Sequence, residues 1–211
     1  GIGKSHTAAT LEKNDNWYHF SVDYLIGRYY LADQISNCQD VTKEDITPIT
    51  QYLGLLGNPE LGGRSLKHFR RRQRLYHDAE LLASQALPNF IRIAQQENYP
   101  GIINDTAGSF VELDYPELPE IIAEHSLIVY IEASESDKNN IFKRASSYPK
   151  PMLYPRGFLN TQVPKFIENN NLKSEQDIDP KAFFDWVFPI LFEQRLPKYK
   201  AIADKHGITL S

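Results

Sequence analysis

The sequence predicts an α/β fold: one parallel sheet covered by helices. Three observations carry this. Short apolar or β-branched stretches recur (WYHFSVD, GIIND, SLIVYIEAS), each followed by a helical pattern, and strands divided by helices imply parallel pairing through right-handed crossovers. The chain opens on GIGKS and runs directly into an alanine-rich helical stretch. Its 211 residues are 41% hydrophobic and 24% charged, which is the composition of an ordinary folded domain, so residues 1–211 read as a single domain.

The elements come in order. A first helix runs through KSHTAATLEK and closes on Asn14-Asp15-Asn16. WYHFSVD reads as a strand ending at Asp23, with Asp23 placed to cap a helix that continues to about Ser36. A helix capped by Thr42 is expected next, since Asp45 three positions later completes a capping-box-like pattern. A long helical region covers roughly 65–98 and breaks near Leu87-Pro88, because proline cannot continue the backbone ladder. PGIINDTAGS reads as a strand and a turn, LPEIIAEH as a helix, and SLIVYIEAS as a strand buried on both faces. Residues 135–148 are helical, while 149–164 hold four prolines and read as loop. A long helix covers about 180–206, and GITLS forms a possible last strand. The helical stretch 40–100 reads as an insertion or acceptor-binding cap, and 145–180 as a lid region.

The chemistry starts at the amino end. Gly-x-Gly-Lys-Ser is the second half of the phosphate-binding motif Gly-x-x-x-x-Gly-Lys-[Ser/Thr]. The motif surrounds an anion with backbone N–H groups at a helix start, where the helix dipole adds favourable charge. In that role Gly1, Gly3 and His6 line the nucleotide, Lys4 is a point charge on the β/γ oxygens, and the Ser5 hydroxyl binds Mg²⁺. Such a site needs an acid at the end of a neighbouring buried strand to hold the metal or its waters. Asp105, straight after Ile102-Ile103-Asn104, supplies one, and the turn at Gly108 would let a ligand approach the backbone. The motif hangs from a strand, so about ten or more residues ending in a strand and a glycine are expected before Gly1; without them nucleotide binding would be weak or absent.

In this order the motifs resemble the shikimate-kinase-like branch of small P-loop kinases, related to the nucleoside-monophosphate kinases. FSVDYLI looks like that family's strand-to-helix acidic motif, which makes Asp23 the acid facing the acceptor; Ser21 stands where the family has its first acid. HFRRRQRLYHDAE is similar to the Phe-Arg-x-x-Glu helix, placing Arg70 toward the acceptor, with Gln73 in place of the glutamate. INDTAGS keeps one glycine, Gly108, of the family's triplet. IFKRASSYPKPMLY resembles the nucleotide-side arginine and lid, giving Arg144 and, in place of the lid arginine, Lys150. LFEQRLPKYKAIADKHGITLS strongly resembles the family's ending, whose arginine binds the acceptor's acidic group; that is Arg195. The resemblance implies the three-layer α/β/α P-loop NTPase fold, with ATP and Mg²⁺ as cofactors. The implied reaction transfers the γ-phosphoryl to a small anionic hydroxyl-bearing acceptor, with Asp23 positioning or deprotonating the hydroxyl. The stretches 37–63 and 154–180 are longer than a minimal kinase of this type needs, so the acceptor is not expected to be shikimate.

Other readings of the same residues stay open. Asp23 can serve only as a helix cap, and Arg70-Arg71-Arg72-Gln73-Arg74 as a solvated face or a patch for an acidic partner. Arg195 can pair with Glu193 or Asp185. An ATP hydrolase or nucleotide-controlled regulator would use the same phosphate end without a small acceptor. The net charge of −4 gives no support to nucleic-acid or membrane-surface binding. No run of eighteen or more apolar residues is present. The single cysteine, Cys38, fits a reducing compartment, so the cytoplasm is expected. The six histidines show no metal-ligand spacing, and zinc is not expected.

Overall fold

The computed structural model describes residues 4–148 and 152–210, and these form a mixed α/β architecture in which helix predominates. Helix α1 (Lys4–Asp15) ends at Asn16, whose φ of 54° turns the chain back into strand β1 (Tyr18–Ser21). Ser21, not Asp23, caps the next helix, α2 (Val22–Leu25): its hydroxyl accepts from the Tyr24 backbone N–H at 3.3 Å. Asp23 lies inside the first turn of α2, where an acid favours the helix dipole but closes no cap. The helix expected to reach Ser36 stops sooner, widening into a π turn over Ile26–Tyr30.

Thr42 does accept from the Asp45 backbone N–H, at 2.9 Å, but no helix starts there. Asp45 in turn accepts from Thr47 N–H at 2.8 Å, and only then does α3 (Thr47–Leu53) begin, with Pro48 in its first turn. The long helical region divides where expected, into α4 (Leu66–Gln85) and α5 (Leu87–Gln96), with Pro88 in the opening turn of the second helix. Strand β2 (Ile102–Asp105), helix α6 (Leu118–Ala123), strand β3 (Ile128–Ile131) and helix α7 (Glu135–Ser147) come next. Residues 158–164, expected as loop, belong instead to helix α8 (Phe158–Asn169). Pro164 lies inside it and removes one ladder bond, but the buried Phe158, Leu159, Val163 and Phe166 fix the helix by packing. Helix α9 (Pro180–His206) has the expected limits, and strand β4 (Gly207–Leu210) continues from it without a loop.

The expected single sheet is not what the described residues form. They make two parallel pairs: β1–β2, in register from Tyr18↔Ile102 to Ser21↔Asp105, and β3–β4, from Ile128↔Gly207 to Ile131↔Leu210. Sequence shows which segments are extended, but pairing depends on which edges meet, and here β2 and β3 share no ladder. Nor is SLIVYIEAS buried on both faces, since Val129 is exposed.

Two apolar clusters hold the helices. In the first, Phe20, Ile26, Ile49, Tyr76, Leu87 and Leu118 bring β1, α3, α4, α5 and α6 together. The stretch 40–100 is therefore a built-in part of the main core. In the second, Phe69, Tyr154, Phe166, Phe183 and Leu191 join α4, α8 and α9, with Phe166 edge-on to Phe183 at 5.2 Å. Helix α4 serves both clusters because its buried positions (Phe69, Gln73, Tyr76, Glu80, Ala83) recur every three or four residues. No helix among the described residues is long and apolar enough to cross a membrane.

Candidate functional site

The paired strands β1 and β2 end together, with Ser21 opposite Asp105. In a parallel pair, partnered residues point to the same face, so His19 and Asp105 lie on the side that α1 covers. There Lys4 Nζ meets Asp105 Oδ1 at 3.0 Å, and the Ser5 side chain lies near enough to the same carboxylate to help lower its pKa. His19 Nε2 lies 3.8 Å from Asp105 Oδ2, an ion-pair contact too long for a hydrogen bond, while its Nδ1 is 2.9 Å from Glu12 Oε2. Burial pushes the Asp105 carboxyl up, but His19, Lys4 and Ser5 outweigh it and hold the group at about 2. Burial likewise pulls His19 down, and the carboxylates of Asp105 and Glu12 more than reverse that, so its pKa is raised.

The opposite wall comes from α4. The Tyr76 hydroxyl donates to Asp23 Oδ1 at 3.3 Å. One turn further along, Glu80 is fully buried; Ser109 Oγ donates to its Oε2 at 2.5 Å and its Oε1 has no partner. Burial raises the Glu80 carboxyl to about 8, and nearby Asp23 adds to the rise, while the Ser109 bond and the cations Arg195 and Lys4 oppose it. A buried acid of this kind keeps its proton at neutral pH.

Helix α9 supplies the third wall. Arg195 Nε donates to Glu112 Oε1 at 3.2 Å and its Nη2 to the Leu153 carbonyl at 2.5 Å. Lys198 holds the other Glu112 oxygen at 2.5 Å, and the Tyr199 hydroxyl donates to the Gly108 carbonyl. Gln73 reaches the same region from α4, donating to Met152 O at 2.9 Å and accepting from Tyr154 N–H at 2.8 Å. Residues 152–154 are thus fixed by α4 and α9 together.

The residues expected from sequence divide into three groups. Lys4, Ser5, Asp105, Asp23 and Arg195 share one neighbourhood: Lys4 binds Asp105 with Ser5 nearby, and the charges of Asp23, Arg195 and Lys4 all reach Glu80. The Gly108 carbonyl accepts from Tyr199, one turn beyond Arg195 on α9. A second group stands apart. Arg70 is exposed and donates to Asn160 Oδ1 at 2.6 Å, His6 is exposed on α1, and Arg144, exposed on α7, donates to the Asn140 carbonyl at 3.4 Å. Gly1, Gly3 and Lys150 form the third group and lie outside the described residues. Arg195 pairs with Glu112, and not with Glu193 or Asp185. Within the basic run of α4, Arg70, Arg71 and Arg74 are exposed, while Arg72 turns onto Tyr52, donating to its carbonyl and stacking 4.7 Å over its ring.

Sequence reasoning missed Tyr76, Glu80, Glu112, Lys198 and Tyr199. A signal for Glu80 was present, since Phe69, Gln73, Tyr76, Glu80 and Ala83 share one helical face. No family model matches the chain, and no solved structure matches its fold.

Proposed function

We propose that the chain is an ATP-binding protein of the P-loop type, acting as a kinase on a small anionic acceptor that bears a hydroxyl. The observation that carries the reading is the pairing of Lys4 with the Asp105 carboxylate at the carboxyl end of β1–β2, with Ser5 next to Lys4 at the start of α1. A lysine, a hydroxyl and a low-pKa carboxylate are the donor set that a Mg²⁺-bound polyphosphate requires, because Mg²⁺ takes hard oxygen ligands and Lys neutralises phosphate. Ser5 and Asp105 would hold the metal, which supplies charge neutralisation at the transferring phosphoryl. Lys4 would then exchange the carboxylate for phosphate oxygens, with Arg144 and Lys150 on the nucleotide side. Asp23, which accepts from the Tyr76 hydroxyl, accepts the acceptor's proton. Arg195 and the Gly108 turn face the acceptor. The finer fold reading, a three-layer α/β/α domain on one sheet, requires a further strand between β2 and β3.

One observation favours a second reading. Arg70 is engaged by Asn160 and Arg195 by Glu112, so two cations assigned to an acceptor are used within the protein. An ATP hydrolase or nucleotide-controlled regulator needs neither. A thermal-shift titration with ATP–Mg²⁺ tests the shared part: the midpoint should rise with ligand concentration, and Lys4→Ala should abolish the rise. No shift with any nucleotide removes both readings. Saturable acceptor-dependent ADP release by the wild type, lost in Asp23→Asn, selects the kinase.

A further inference from the structure

A cavity of ≈ 330 Å³ opens on the outer edge of β1, the edge that faces away from β2. Its volume falls within the range of small-molecule sites. The walls are aromatic: Trp17, Tyr24, Tyr29, Phe90 and Tyr99 surround the space, and Tyr18 holds two of the others, edge-on to Tyr99 at 5.2 Å and tilted against Phe90 at 6.2 Å. Trp17 is held against the backbone at Gly101, where an added Cβ would lie 2.7 Å from its ring. Only glycine permits that contact, so one wall is set by backbone.

The polar end of the cavity is a short chain of charges. Glu12 uses both carboxylate oxygens, one toward Lys43 at 2.6 Å and the other toward His19 at 2.9 Å. His19 has its second nitrogen turned to Asp105, so its ring is the partition between this cavity and the Lys4–Asp105 site. The carboxylate is therefore committed, whereas an ammonium carries three donors and Glu12 takes one of those of Lys43, whose side chain is 30% exposed. The cavity offers flat apolar faces and one cation with donors to spare.

We propose that this cavity is a binding site for a planar aromatic carboxylate, its ring against Trp17 and the tyrosines and its carboxylate on Lys43. Lys43, with donors to spare, matches a carboxylate, and aromatic faces favour a flat ring by stacking. The site is separate from the nucleotide reading and does not depend on it.

The test uses 2-naphthoate as the probe, titrated into the whole chain by calorimetry. The uncharged 2-naphthalenemethanol and the cationic 2-naphthylmethylamine are measured beside it. Saturable one-to-one binding of the naphthoate is expected, with both analogues about tenfold weaker or worse, the scale of one charge-assisted hydrogen bond. Lys43→Met should weaken naphthoate about tenfold and bring it level with the alcohol. Tyr29→Leu, at a 63% exposed position that the fold does not need, should weaken all three probes. Naphthoate binding that fails to saturate, that is matched by the amine, or that is unchanged in both variants overturns the proposal. ATP–Mg²⁺ binding followed in the same variants should be unaltered, which separates failure here from failure of the nucleotide reading.

Discussion

The two strand pairs are alike in length and direction, yet the more apolar pair, β3–β4, is the more exposed. In β1–β2, His19, Phe20 and Ser21 are buried, because α1 covers the face of His19 and Asp105 while α5 covers the other, with Phe90 4.9 Å from Phe20. In β3–β4, Val129 is 45% exposed and Leu210 50% exposed, and α9 is the principal support, with Tyr199 stacked on Tyr130 at 6.0 Å. An apolar strand becomes core only where a layer covers it. The charged chemistry lies with the covered pair, since ion pairs and perturbed carboxyls are stronger away from water.

The sharpest way to break the contrast is to cut the covered pair. Phe20→Ala should cost about 3–5 kcal/mol in urea unfolding, the usual range for a large core aromatic reduced to a methyl. A cost below about 1 kcal/mol would place β1 outside the cooperative core. The next effect is one of pH. Glu80 holds its proton to about 8 when folded, whereas an ordinary glutamate releases it near 4.5, so the folded state binds more protons across that window. Stability should therefore fall as pH rises from about 4.5 to 8 and level off on either side. Glu80→Gln cannot ionise, so this fall should be absent from the variant apart from the decline that the raised pKa of His19 imposes above about 6.5, and the variant should exceed the wild type at pH 8.5 by roughly 2–4 kcal/mol. Parallel curves for the two proteins would mean that Glu80 titrates normally. The smallest effect belongs to the open pair: Val129→Thr should change stability by no more than about 0.5 kcal/mol. A loss comparable to that of Phe20→Ala would show that the outer face of β3 is covered.

The same contrast explains what could be read from the sequence. Helix α9 and the break between α4 and α5 were legible because prolines, caps and apolar spacing are local signals. The approach of Lys4 to Asp105 was legible from motif chemistry, although 101 positions separate them. Glu80 was not, because an acid within a helix of arginines and glutamines reads as solvent-facing, and its burial depends on Ser109 from a distant loop. Thr42 and Asp45 gave the right local bonds and the wrong element, since a capping pattern fixes a turn and the residues beyond it decide whether a helix forms. Exposure of β3 was invisible for a related reason: apolar runs record the strand but not its neighbours.

The direct passage from α9 into β4 has a mechanical consequence. A side-chain carbon at Gly207 would lie 1.9 Å from the Ile128 carbonyl oxygen, so the junction is seated against β3 with no room to spare. Helix and strand must then turn as one stiff piece, and any roll of α9 is resisted by the β3–β4 ladder. The cations Arg195 and Lys198, a few turns back on that helix, are thereby indexed to a pair of strands that carries no charged residue of its own. The open, water-facing strand pair acts as the fixed datum from which the covered, ion-paired region is aligned.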